Sequence, residues 1–168
     1  MVHQYKPLTN NDLNRMEWTY NNREITEAIE GFIGFVYRIT HIPSGKSYIG
    51  RKYFTSTTNV RMGKKELALL RNVRKSQGLR GRTPIKKQVV KESDWKNYYS
   101  SNKEIKAMVK EGKTHEFKRE ILTFCETKKL LTYFEMKYQF KYDVLISGYW
   151  FNDSIAGKFY TKDFENLI

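Results

Sequence analysis

The alternation of apolar and polar positions marks out a short series of elements. Residues 34–40, GFVYRIT, are rich in β-branched and aromatic side chains and run into a turn containing His41, Pro43 and Gly45, after which KSYIG at 46–50 forms a second short run. Two such runs across a Pro/Gly turn predict a β-hairpin, since branched and aromatic side chains suit a pleated, half-buried surface and Pro and Gly set the turn angles. Leu67, Leu70 and Val73 recur at helical spacing and predict a basic helix over 64–77; Gly78, Gly81 and Pro84 break the pattern beyond it, so 78–90 reads as a mobile arm. SNKE at 101–104 has the capping-box pattern, serine and glutamate each satisfying an amide at a helix start, and predicts a helix over 102–111 with Ile105, Met108 and Val109 on its apolar face. HEFKREILTF at 115–124 predicts a third strand. Glu126 and Thr127 can cap a further helix, from 128 to about 144, with Leu131, Phe134, Tyr138 and Tyr142 towards a core. Gly148 punctuates it, and the aromatic cluster 149–152 reads as a packed return segment. Before the hairpin, WTYNNREI from Trp18 predicts a small hairpin and 26–30 a single helical turn. Strands and helices in this mixture describe an α+β fold without an internal repeat.

Composition and charge then change the picture. The chain has 168 residues with 12 Tyr, 10 Phe and 3 Trp, an aromatic content that a disordered basic tail would lack, so one packed domain is expected. The net charge is +13, and its placement is uneven: residues 46–91 hold 14 basic side chains and one acid, Glu66, while the rest of the chain balances. A near-neutral body with one strongly cationic stretch calls for a polyanion. The longest apolar run, 31–37, is too short to cross a bilayer, and the polar beginning MVHQYKPLTNND carries no export pattern, so a cytoplasmic protein without membrane contact is expected. A single cysteine, Cys125, excludes an internal disulfide, and with only His3, His41 and His115 beside it a structural zinc site is excluded too. Cys125 lies in an apolar stretch and reads as a small buried hydrophobe.

Tyr37 in the first strand and Tyr48 in the second, the latter followed by Ile49 and Gly50, form a spaced pair. With GFVY at 34–37 and YIG at 48–50 the chain resembles the GIY-YIG nuclease family. The likeness continues through 102–122 as a small helix, a lysine-glycine loop and a Phe-rich strand, then through Glu135 in the next helix and Asn152 after a glycine-aromatic turn. The leader beginning at Trp18, the basic insertion, SDWKNYYSS at 93–101 and the closing DSIAG at 153–157 are similar to stand-alone phage endonucleases of homing type. The resemblance implies a small three-stranded antiparallel sheet flanked by helices, with a basic helical insertion. It implies a leader at 1–30, a nuclease domain at 31–158 interrupted by the insertion at 51–92, and a tail at 159–168. A phage-encoded protein would work in the cytoplasm of its bacterial host.

The implied activity is divalent-metal-dependent hydrolysis of DNA phosphodiester bonds, with one Mg²⁺ or Mn²⁺ per site held by Glu135. A tyrosine would act as general base, the second orienting water or phosphate, and Asn152 would hold the geometry; the sequence leaves open which tyrosine does which. Such a reaction needs a water stripped of its proton, a cation against the charge building on phosphate, and help for the departing 3′-oxygen. The family arginine sits about ten residues after the second tyrosine, where this chain has Thr58. Candidates for the missing cation are Arg61, favoured, then Arg51, with Lys52 beside it and Lys96 further on; guanidinium offers fixed paired donors to phosphate. Lys52, Lys64, Lys65, Arg71, Arg74, Lys75, Arg80, Arg82, Lys86, Lys87 and Lys96 are the expected contacts to double-stranded DNA. A monomer and a dimer on DNA fit equally. The alternative is a non-catalytic basic DNA- or RNA-binding protein using the arm for phosphates and Trp95, Tyr98 and Tyr99 for stacking or wedging.

Overall fold

The computed structural model describes residues 17–163; the first sixteen residues of the expected leader and the last five of the expected tail lie outside the described residues. Among the described residues the fold is α+β, with three helices and a mixed five-stranded sheet. No helix among them is long and apolar enough to cross a membrane. The chain divides into two compact units, one built on the large sheet and the other spanning Thr55–Ser93.

In the first unit, β1 (Trp18–Tyr20) and β2 (Arg23–Ile25) form the hairpin that WTYNNREI predicts. Asn21 and Asn22 both take positive φ, 49° and 61°, the left-handed pair that a tight two-residue hairpin turn needs and that asparagine tolerates best after glycine. Residues 26–30 form no helical turn; the chain swings through Glu30 and Gly31, whose φ is 84°, to enter β3. β3 (Gly34–His41) and β4 (Ser47–Tyr53) are the predicted hairpin, and the third predicted strand begins two residues late, as β7 (Phe117–Cys125), behind a 3₁₀ turn at Lys113–Glu116. The sheet order is β2-β1-β7-β3-β4. The expected antiparallel trio is thus β7-β3-β4, and β1 extends it by pairing parallel to β7, Trp18 beside Arg119. Trp18 is fully buried and donates from Nε1 to the Trp95 carbonyl at 2.7 Å, so part of the expected leader belongs to the core.

Both faces of the sheet are covered. One buries Trp18, Phe35, Tyr37, Ile39, Phe117 and Ile121 under an aromatic segment at 95–99 and the helix Lys103–Lys110; the other buries Val36, Ile49 and Cys125 under Leu131 of the helix Lys128–Lys141 and the segment after it. A bulge keeps β7 in step. The register passes from Val36 opposite Thr123 to Tyr37 opposite Ile121, leaving Leu122 unpaired, so that Ile121 and Phe124 both reach the aromatic face. Cys125 is a buried hydrophobe.

The second unit differs from expectation. Its helix, α1 (Lys64–Ser76), is the predicted one, but residues 86–90 of the expected arm belong to a strand, β6 (Lys86–Glu92), paired antiparallel with β5 (Thr55–Arg61). Every residue of β5 is exposed, which is why its Thr/Ser-rich run shows no alternation of polarity.

The other two helices are α2 (Lys103–Lys110) and α3 (Lys128–Lys141). Asn102, not Ser101, caps α2: its Oδ1 accepts from Glu104 and Ile105, while its Nδ2 donates to the Phe151 carbonyl. Ser101 is thereby free for another task. Thr127 caps α3 as predicted, accepting from Leu130, and the helix ends at Lys141, short of 144.

Candidate active site

The antiparallel register sets the tyrosines. Tyr37 lies opposite Gly50 and Ile39 opposite Tyr48, so Tyr37 and Tyr48 are diagonal neighbours on one face, with ring centroids 6.2 Å apart. The glycine between them is a requirement of space. A Cβ at Gly50 would stand 2.6 Å from the Tyr37 hydroxyl and 2.7 Å from Cε1 of Tyr48, closer than any side chain can settle. Tyr37 is 1 % exposed, wedged between Trp18 and Tyr98. Tyr48 is only half-buried: its hydroxyl meets that of Ser101 at 3.1 Å and opens onto a cleft of about 480 Å³ lined by Asn102, Lys103, Glu104, Asp153 and Ser154.

β4 is an edge strand of this sheet, and its outer side is where the remaining groups gather. Asn152 stands in for a missing strand residue: Ile49 donates its N–H to Oδ1 at 2.9 Å, and Nδ2 donates to the Ile49 carbonyl at 2.8 Å. Gln139 Nε2 donates to the same carbonyl. Around them Ser47 exchanges backbone bonds with Tyr149 and Phe151, so the return segment runs parallel along the edge and closes it. Losing Asn152 would leave buried backbone groups short of partners, at a cost of about 1–3 kcal/mol. Ile49 is the residue between Tyr48 and Gly50, so Asn152 holds the frame on which both tyrosines sit.

One helical turn before Gln139 on α3, Glu135 reaches the next residue along this edge. Its Oε2 lies 3.1 Å from Nη1 of Arg51, and the Arg51 guanidinium also donates to Oγ1 of Thr132 at 2.7 Å. Burial pushes the Glu135 carboxyl above its ordinary value, and the guanidinium and backbone N–H of Arg51 pull the other way without prevailing. The tyrosines respond in the same sense. Burial drives the Tyr37 phenol well above its usual value, reinforced by Tyr98, Tyr48 and Glu135; Tyr48 is raised too, by burial first, against the opposing hydrogen bond of Ser101.

This chain matches the family model described as "Putative endonuclease segE, GIY-YIG domain" over residues 18–155, more than half its length. The chain belongs to the GIY-YIG nuclease family. It is therefore a nuclease acting on phosphodiester bonds, and its match begins at Trp18, the first strand of the sheet. No curated protein and no solved structure matches it.

Within the GIY-YIG body, Tyr37, Tyr48, Arg51, Glu135 and Asn152 come together on and around β4, whereas Arg61 ends β5 in the second unit. Lys52 is spent inside the body: its Nζ lies 3.7 Å from the centre of the Tyr98 ring and binds Asp94, whose carboxyl it holds below the usual range. Lys96 pairs with Glu27. Lys64, Lys65, Arg71, Arg74, Lys75, Arg80, Arg82, Lys86 and Lys87 all belong to the second unit. The structure adds to the expected residues Ser101 as a partner of Tyr48, Tyr98 as the wall behind Tyr37, Thr132 and Gln139. Gln139 carried a signal, since it lies four residues after Glu135 and so on the same side of a helix. Arg119 carried none: fully buried, it donates to the Lys96 and Tyr98 carbonyls and lies between the Trp18 and Tyr99 rings, fixing the segment that presents Tyr98.

Proposed function

We propose that this nuclease is a divalent-metal-dependent DNA endonuclease whose centre is Glu135, Arg51, Tyr48 and Tyr37, braced by Asn152. The observation that supports this most is Glu135 itself, a half-buried carboxylate 3.1 Å from a guanidinium, on the strand that carries the second signature tyrosine. Among the described residues no three potential ligands cluster. One desolvated carboxylate nevertheless suits Mg²⁺ or Mn²⁺, which favour oxygen and keep most of their shell for water and substrate phosphate. Glu135 would hold the ion, which when bound neutralises charge on the phosphate and on the departing 3′-oxygen.

The protein's own groups divide the remaining work. Arg51, steered by Thr132 and Glu135, offers its other donors to a non-bridging oxygen, taking the role expected of the family arginine. Tyr48 faces the cleft and receives the proton of the attacking water, its hydroxyl held by Ser101. Tyr37 is sealed from water and orients Tyr48 through ring contact. Because both phenols are raised, Tyr48 is protonated at neutral pH, and the rate climbs as pH rises towards its elevated value. Double-stranded DNA is the substrate, and the second unit, with 11 basic and two acidic residues over 55–93, is its main electrostatic contact.

Plasmid nicking tests this. Cleavage with Mg²⁺ or Mn²⁺ should stop with EDTA, fall about 10²–10³-fold or more in Glu135→Ala, and fall about 10²–10⁴-fold in Tyr48→Phe with loss of the rise with pH, while salt-sensitive DNA binding persists. DNA left intact at low salt with either ion would overturn the proposal.

A further inference from the structure

The two faces of the β5–β6 ribbon are not alike. Thr55 pairs with Glu92, Thr57 with Val90, Asn59 with Gln88 and Arg61 with Lys86, and since alternate residues of a strand point the same way, these eight share one face, the acid at its far end from Arg61 and Lys86. The opposite face holds Val89, the one half-buried residue of the two strands, and Lys87, ion-paired to Glu66 of α1 at 2.7 Å. That face turns to the helix. The first face has no such cover: its eight side chains are exposed, and those of Asn59, Arg61, Lys86 and Gln88 make no hydrogen bond or ion pair among the described residues.

A grip on phosphates needs only cations, and α1 and the loop after it supply them. Two amides facing each other across an open ribbon, with an arginine and a lysine next along it, are suited to something else. Asn and Gln amides match the paired acceptor and donor on the adenine edge, and Arg matches the two acceptors of guanine. Two strands about 4.8 Å apart fit a major groove about 12 Å wide. Residues two apart advance about 6.8 Å, or roughly two base-pair steps of about 3.4 Å. The deep, narrow major groove of duplex RNA would not admit the ribbon.

Building on the DNA-endonuclease reading, we propose that the open face of β5–β6 reads DNA sequence in the major groove. Asn59 and Gln88 meet adenine edges, Arg61 meets a guanine roughly two steps away, and Lys86 sits on the flanking phosphate.

The test is selection of bound duplexes from a randomised DNA pool by the full-length chain without divalent metal. The wild type should enrich adenine with guanine about two steps off. Asn59→Ala/Gln88→Ala should lose the adenine preference, by about 5- to 100-fold, with the salt dependence of binding unchanged, and Arg61→Ala should lose the guanine. Gln88→Glu should shift its position towards cytosine, whose amino group a carboxylate accepts. Thr58→Ala, on the other face, should keep the preference. All these positions are exposed, and far-UV circular dichroism checks each variant's fold. The inference is overturned if the wild type shows no preference, if the preference survives the double substitution, if binding merely weakens uniformly with a shallower salt slope, or if duplex RNA competes equally. Because the readout is binding, failure to cut with metal would strike the nuclease reading alone, and cutting without sequence preference would strike this inference alone.

Discussion

Within the body built on the five-stranded sheet, side chains have their positions because something covers them, whereas in Thr55–Ser93 almost nothing is covered. Phe35, Tyr37, Ile39, Ile49 and Leu131 are at or near zero exposure, but no residue of β5, β6 or α1 is buried, and Leu69 and Val90 stand 65 % and 61 % exposed. Burial gives the body its precision: it spaces two rings around Gly50 and lifts the titration of Tyr37, Tyr48 and Glu135. The second unit holds its shape through one strand pairing and a thin apolar seam, and keeps its cations in water. The groups proposed to react thus have fixed distances in low dielectric, and the cations proposed to hold phosphate keep reach and solvation.

Paired substitutions can break this contrast. The largest difference is expected between Leu131→Ala, which should lower the free energy of urea unfolding by about 2–5 kcal/mol, and Leu69→Ala, which should stay within about 0.5 kcal/mol. Equal costs would mean that the second unit has a core after all. Gly50→Ala should cost about 1–3 kcal/mol and suppress nicking by displacing the tyrosines. Gly63→Ala, at the cap of α1 with nothing within 4 Å, should cost under about 1 kcal/mol. A Gly50→Ala protein that cuts normally would show that the tyrosines tolerate another arrangement.

The smallest effect is a pH dependence. The folded protein keeps the Tyr37 proton above the ordinary value near 10, so the stability due to this group is complete below that pH and is lost as pH climbs towards the raised native value. Tyr37→Phe should therefore flatten the alkaline loss of stability, by up to about 1.4 kcal/mol per pH unit above pH 10. Residues 55–93 contain no tyrosine, so the same titration should leave the second unit's helix signal unaffected by this substitution. Identical alkaline profiles would show that Tyr37 is not sealed.

What was legible along the chain was local. The β3–β4 hairpin showed in its period of two and its Pro/Gly turn, α3 in its apolar stripe, and the Asn21-Asn22 turn in its residue types. Local signals also misled. Ser101 and Asn102 both suit a helix cap, and the choice fell to Asn102 because its amide also reaches the Phe151 carbonyl, 49 residues away. β5 and β6 were hidden because strands with no fully buried residue show no alternation. Of the proposed site, Tyr37 and Tyr48 showed as a spaced pair, and Glu135 and Asn152 through the family resemblance. Arg51 could not be ranked above Arg61, since nothing near it in the chain shows that α3 crosses the edge of β4 there.

The sequence by itself determined the class of element in each apolar segment, the concentration of charge in one stretch and the nuclease signature, because these depend on residue types and short spacings. Only the tertiary structure decided which strand lies beside β7, which hydroxyl faces Tyr48, which guanidinium meets Glu135 and which face of the basic ribbon stays open. Those outcomes depend on contacts between residues tens of positions apart, and the chain settles them only when its buried surfaces are packed together.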